Sequence, residues 1–275
     1  MTLAAIMVYV DFDDGAEGRI GVAAGIADQF NSPLIGVAGW ALRKHDGLPL
    51  EVEFAPDENA RREAIAKQLE RLEDRFRRYA KAVPRGVEWR SSTGFPREVI
   101  ATQARAADIV VIGQDALPGD IYRTYDPGTI ILAAGRPVLL VPRGVHRLEA
   151  SRVLIAWKDT REAHRAVHDA LPFLKRAQEI SIAAAYPDGS DGSDARMQIA
   201  DVAQYLARHG VAISRQIVTA ADGEEARALL DLAKRHEAGL IVAGAYGRTR
   251  LSEWIFGGVT RQLLLKSPIP CLFSN

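Results

Sequence analysis

The sequence predicts an α/β protein made of two tandem domains, each a helix-covered, mainly parallel sheet. Three observations predict it. Short, nearly continuous apolar strands alternate with segments of helical period, the pattern of parallel strands with crossover helices. The chain repeats its own plan at long range, at a spacing far above that of a solenoid. Its 275 residues suffice for two domains of ordinary size.

The first half opens with the apolar strand Ala5–Val10, then the acidic turn of Asp11, Asp13 and Asp14, then a helix-period segment. Those carboxylates read as a helix N-cap. Residues 41–57 read as irregular. A long charged helix follows, about Glu58–Ala82, with an apolar stripe of Ile65, Leu69, Leu72 and Phe76. Its charges read as a solvated face laced with i,i+4 pairs. A late strand, Asp108–Gly113, ends in glycine, and Gly128-Thr129 opens a helix before a strand punctuated by prolines. The polar stretch Arg143–Ser151 is the junction, giving domains of 1–147 and 148–275.

The second half repeats this order. Val153–Trp157 is a strand, and Arg161–Ala177 has helical period. Ile180–Tyr186 is a strand, and Pro187–Ser193 is a loop of turn formers. Asp194 caps a helix that runs to His209 and is ended by Gly210. Val211–Thr219 is a strand, Gly223–His236 a helix, and Leu240–Gly244 a strand. A helix near Gly258–Lys266 precedes the last strand, Pro270–Ser274.

Composition excludes several classes. The 35 basic and 35 acidic side chains balance, which argues against a nucleic-acid partner. The N-terminal segment lacks a signal-peptide pattern. No apolar stretch approaches the ~20 residues needed to cross a bilayer, so no membrane role is expected. The single cysteine, Cys271, sits in the last strand and reads as a buried structural thiol. A cytoplasmic protein is expected. His164 and His168 stand at i,i+4 without a completing ligand, so no metal site is expected. No P-loop, nucleophile elbow or Ser-His-Asp order is present, and nothing makes the chain an enzyme.

One segment carries chemistry. Gly244 and Gly247, then Gly257-Gly258-Val259-Thr260, give the spacing G-x2-G-x9-G between a buried strand and a helix start. Glycines let the backbone approach a ligand, and the free N–H groups of a helix start favour an anion. Arg248 and Arg250 add donors. Glycine spacing alone also fits a loop that merely turns. Trp254 and Phe256 within the loop read as packing residues.

The segment GAYGRTRLSEWIFGGVT resembles the glycine loop of the universal stress protein family, G-x2-G-x9-G followed by Ser or Thr. AWKDTREAHRAVHDALPFL is similar to first-helix segments of its tandem bacterial members, and the two-copy layout matches along the chain. The resemblance implies two tandem doubly wound domains, each with a mainly parallel five-stranded sheet. It implies that the halves pair as an intrachain pseudo-dimer, with a homodimer of chains as a further state. Some members of the family bind ATP, with Mg²⁺, and others do not. Carried onto this chain, phosphate and ribose contacts would come from Gly244, Tyr246, Gly247, Arg248, Gly257, Gly258, Val259 and Thr260. Base-side contacts would come from Ala156, Trp157 and Lys158.

Two departures stand out. Gly258 replaces the hydroxyl residue after the third glycine, and Lys158 stands where the family has Asp. Lysine cannot accept a hydrogen bond. The first half keeps Asp11, but its loop after Gly113 lacks the second glycine, and Asp115, Asp120 and Asp126 crowd it with negative charge. That half is expected not to bind ATP. The functions expected are a non-catalytic stress-response module binding one ATP in the second half, a stress-associated protein acting through an unidentified protein partner without ATP, or a weak ATPase.

Overall fold

The computed structural model describes residues 2–42, 58–114, 120–187, 191–221, 225–245 and 258–275. In the first half the order is β1 (Ile6–Tyr9), α1 (Ala16–Phe30), β2 (Leu34–Gly39), α2 (Glu58–Tyr79), β3 (Val87–Ser92), α3 (Pro96–Gln103), β4 (Ile109–Gly113), α4 (Pro127–Ala133) and β5 (Val138–Val141). A short 3₁₀ turn, Ala104–Ala106, precedes β4. The second half has β6 (Arg152–Trp157), α5 (Arg161–Asp169), α6 (Leu171–Leu174), β7 (Glu179–Pro187), α7 (Ser193–Arg208), β8 (Arg215–Ala221), α8 (Glu225–Arg235), β9 (Leu240–Gly244), α9 (Gly258–Lys266) and β10 (Cys271–Ser274).

Among the described residues, the ten strands form one sheet in the order β3-β2-β1-β4-β5-β10-β9-β6-β7-β8. Every pairing is parallel except that of β5 with β10, where the halves meet antiparallel with Cys271 opposite Leu140 and Leu272 opposite Leu139. The central strands β1, β2, β4, β5 and β10 are buried on both faces. Their unbroken apolar runs therefore carry no alternation, as sheets covered on both sides require.

Each face of the sheet has one core, and each core draws on both halves. On one face, Phe30 of α1 meets Phe173 of α6 edge-on at 5.5 Å, with the Arg176 guanidinium 4.5 Å from the Phe30 ring. On the other, the Gln114 amide donates to the carbonyls of Leu263 (3.4 Å) and Ser267 (3.1 Å) at the end of α9. The Leu263 carbonyl also accepts from Ser267 N at 3.2 Å, so the amide chiefly serves the Ser267 carbonyl past the helix end. The junction segment lies along α1. A Cβ on Gly18 would stand 2.5 Å from the Val145 carbonyl oxygen, so glycine is required for that close approach.

Most elements lie where the sequence places them. The α2 stripe of Ile65, Leu69, Leu72 and Phe76 is buried, and Arg62–Glu58 and Arg77–Glu73 pair at i,i+4. Gly210 ends α7 with φ of 77°. Several expectations need correction. The helix expected over Arg161–Ala177 breaks at Ala170, because Pro172 lacks the N–H to continue it and instead opens α6. Asp194 does not cap α7. The carboxylate of Asp191 accepts from Ser193 N at 2.9 Å, and Asp194 lies in the first turn. The strand expected from Val211 starts at Arg215, since Val211 N bonds the Leu206 carbonyl and closes the helix end.

Replacing Gly18 with alanine should lower the urea midpoint. Overpacking against backbone costs about 1–3 kcal/mol, which outweighs the helix-propensity gain of about 1 kcal/mol. Gly25 in the same helix has nothing within 4 Å of a built Cβ. Gly25→Ala should therefore raise the midpoint.

Candidate functional site

In an open parallel sheet, ligands bind beyond the carboxyl ends of the strands where the chain reverses its winding direction. This sheet has two such points, between β1 and β4 and between β6 and β9. They superpose by register, because Val8 pairs with Val111 as Ile155 pairs with Val242. Counting on from these pairs, Tyr9 corresponds to Ala156, Asp11 to Lys158, Asp13 to Thr160, Arg19 to Ala166, and Gly113 to Gly244.

In the first half this place is filled. Arg19 of α1, only 1% exposed, reaches over the strand ends. Its guanidinium meets the carboxylates of Asp11 (2.7 Å) and Asp13 (3.0 Å), and its Nε donates to the Tyr9 carbonyl at 2.9 Å. It lies against Gly113 so closely that a Cβ there would collide with it. The Tyr125 hydroxyl accepts from Gly113 N at 2.9 Å, and its ring meets Tyr9 edge-on at 5.1 Å. The expected cap by the acidic turn is thus corrected. Gly15 is the N-cap residue without a side-chain cap, and Asp11 and Asp13 serve Arg19 instead.

One guanidinium faces two carboxylates, and this sets their titration. Burial opposes ionisation of Asp13, but the charge and hydrogen bonds of Arg19, with that of Gly15 N, hold its carboxyl below the usual range. Burial raises Asp11, Arg19 offsets this in part, and the Asp13 charge adds to the rise. The crowding of negative charge expected from Asp120 and Asp126 is relieved locally. Asp120 pairs with Arg123 at 2.7 Å, and Asp126 caps α4 by accepting from Thr129 N at 2.9 Å. Asp115 lies outside the described residues.

The second half holds small side chains at the same positions. Ala156 is partly exposed at the end of β6, Ala166 is buried, and Gly244 ends β9. Gly244 has a packing reason of its own, since a Cβ would stand 2.5 Å from Ala163 N at the start of α5. Lys158 is exposed just past β6. Gly258 opens α9 with nothing within 4 Å of a built Cβ, and Val259 and Thr260 follow in the first turn. Trp157 is 7% exposed, stacks on His164 at 5.1 Å, and leaves its buried indole N–H without a partner. The structure thus brings Ala156, Lys158 and Gly244 to one switch point. Tyr246, Gly247, Arg248 and Gly257 lie outside the described residues, as do Arg250, Trp254 and Phe256.

Sequence reasoning missed two features. Arg19 was legible as a lone cation in an otherwise small and apolar helix. An aromatic group at the strand ends of the first half carried no such signal. There Phe12 (41% exposed) meets Trp40 at 6.0 Å, Arg123 lies 5.6 Å from the Trp40 ring, and Phe95 meets Tyr122 at 5.6 Å. The two histidines are not bare on their helix: His164 contacts Asp159 at 2.9 Å and His168 contacts Tyr205 at 3.0 Å. Among the described residues no group of three or more His, Cys, Asp or Glu could hold a metal, and no helix is long and apolar enough to cross a membrane.

Two outcomes test the filled site. Arg19→Met leaves two buried carboxylates without their cation and should destabilise the fold by about 3–5 kcal/mol in urea unfolding. Asp13 has a lowered folded pKa, so its stabilisation is complete above the ordinary carboxylate range and is lost as pH falls through the folded value. The stability gap between wild type and Asp13→Asn should therefore close on acidification.

Comparisons with known proteins agree with this architecture. The model of the universal stress protein family matches residues 149–274. A crystal structure of a universal stress protein from Archaeoglobus fulgidus DSM 4304 matches with a TM-score of 0.71 at 14% identity, over 98% of this chain and 97% of that one. A universal stress protein structure from Pseudomonas aeruginosa UCBPP-PA14 matches with a TM-score of 0.57 at 16% identity, over 98% and 92%. A search of curated proteins gives no match. At such identities the structures establish a shared fold, and the second half of the chain, residues 149–274, is the part that matches the universal stress protein family.

Proposed function

We propose that the chain is a non-catalytic nucleotide-responsive module that binds one adenine nucleotide, of the ATP class with its Mg²⁺, at the switch point of the second half. One observation carries this reading. Two copies of one scaffold differ at the ligand position, with Tyr9 and Arg19 filling the first and Ala156 and Ala166 standing in the second. The two large side chains that fill the first place have no counterpart in the second, where the start of α5 packs on Gly244 instead, and Gly258 has nothing within 4 Å of a built Cβ at the start of α9. The start of that helix supplies N–H donors for phosphate. Lys158 changes the chemistry offered on the base side, since it donates where the family's Asp would accept.

A non-catalytic role follows from the residues near this place. The acids that follow β6 are engaged, Asp159 by His164 (2.9 Å) and Glu162 by Arg161 (2.5 Å). Neither is a poised general base for hydrolysis. A second reading has its own support. The exposed Phe12 and Phe95, with the half-buried Trp40 against Phe12, suit contact with a protein partner in the absence of nucleotide.

Mass spectrometry of small molecules released on denaturing the purified chain, followed by ATP calorimetry with Mg²⁺, tests the choice. One adenine nucleotide per chain is expected, and Gly247→Leu should abolish binding with an unchanged melting temperature. An empty chain with no binding heat would establish the partner-binding reading in its place.

A further inference from the structure

We infer that Gln114, in the first half, is a positioning residue for the candidate site of the second half and acts through α9; this rests on the nucleotide reading above. β9 and β10 are parallel, so the helix that joins them runs back against both. α9 starts at the edge of the sheet where β9 ends in Gly244, and it finishes at the edge where β10 begins. Because β10 and β5 are antiparallel, that second edge is the one where the strands of the first half end. α9 therefore spans the sheet from the switch-point edge of one half to that of the other.

At its far end α9 meets the first half. The Gln114 side-chain amide donates to the Ser267 carbonyl at 3.1 Å and reaches the Leu263 carbonyl at 3.4 Å. The Ser267 carbonyl lies past the last turn, where intrahelical donors have run out. Gln114 is itself held in place. Its own N–H donates to the Val141 carbonyl at 3.0 Å. It follows Gly113, whose N–H donates to the Tyr125 hydroxyl at 2.9 Å and which lies against the Arg19 guanidinium. The side chains that fill the first switch point thus fix the residue that caps α9.

The arrangement runs one way. By register, Gln114 corresponds to Ala245, while Leu263 and Ser267 correspond to Ile130 and Ala134. Ala245 has no side-chain donor, so the second half does not return the cap to α4 by the same route. With 9 residues and a length of about 14 Å, α9 is short enough to act as one rigid element. The half whose ligand place is filled braces the helix that starts beside the other.

The test compares three variants of the full chain. Gln114→Leu and Gln114→Glu keep the approximate size of the side chain and lose its donors, whereas Gln114→Lys restores donors at the helix end. Amide hydrogen exchange reads α9, with α4 as the internal reference. Exchange in the last turn of α9 should rise about fivefold in the first two variants, the value of one net hydrogen bond, and stay at the wild-type rate in Gln114→Lys. In ATP calorimetry with Mg²⁺, affinity should weaken roughly twofold to fivefold in the first two variants and hold in the third. Unchanged exchange in α9, a rise shared equally by α4, or a Gln114→Lys chain as loose as Gln114→Leu overturns the inference. Faster exchange in α9 with unaltered ATP affinity also overturns it and leaves the nucleotide reading standing. A wild-type chain that binds no ATP overturns both.

Discussion

Three antiparallel residue pairs between β5 and β10 hold the architecture together. Each half alone would end in an unpaired, fully apolar edge strand, the kind of edge that invites aggregation. Pairing the two edges removes both and makes one sheet of ten strands. The cores then run across the seam on either face. The remaining cross-half contacts, such as Phe30 on Phe173 and Gln114 on the end of α9, are available only because this register brings the helices side by side. The outer edges, β3 and β8, are the more exposed and more polar strands.

Duplication gives two equivalent switch points, and the chain has treated them differently. In the first, an arginine is drawn inward and clasped by two carboxylates and a backbone carbonyl. A buried cation of this kind is costly to desolvate and is tolerated only because its partners are complete. In the second, alanines stand at the same positions, the start of α5 packs on the strand-end glycine, and Lys158 stands at the surface. The glycine that ends the late strand survives in both halves for different reasons. Gly113 admits the Arg19 guanidinium, while Gly244 admits the backbone of α5.

Much of the fold was legible because it rests on periodicity and punctuation. The apolar runs of β1, β4 and β9, the α2 stripe and the Gly210 stop all follow from local rules. The misses have local causes too. Pro172 hides inside a helical apolar pattern, because proline is tolerated in a first turn and so leaves the periodicity of the segment intact. Asp194 reads as a cap on paper, but the left-handed turn at Gly192 makes that glycine the N-cap residue and leaves Asp194 in the first turn. At the site, Lys158 was legible as an anomaly because it breaks a pattern. Arg19 stood out only as a lone cation, and the Phe12–Trp40 contact left no signal, since the meaning of both depends on which strand ends the topology brings together.

The seam also determines what the chain's one sulfur atom is able to do. Cys271 sits in β10 opposite Leu140, fully enclosed, with burial raising its thiol pKa to about 12. A thiol held protonated and out of reach neither senses oxidants nor forms mixed disulfides while the halves are joined. Its reactivity is instead a clock on the joint itself: the rate at which an alkylating reagent consumes it measures how often the two halves part.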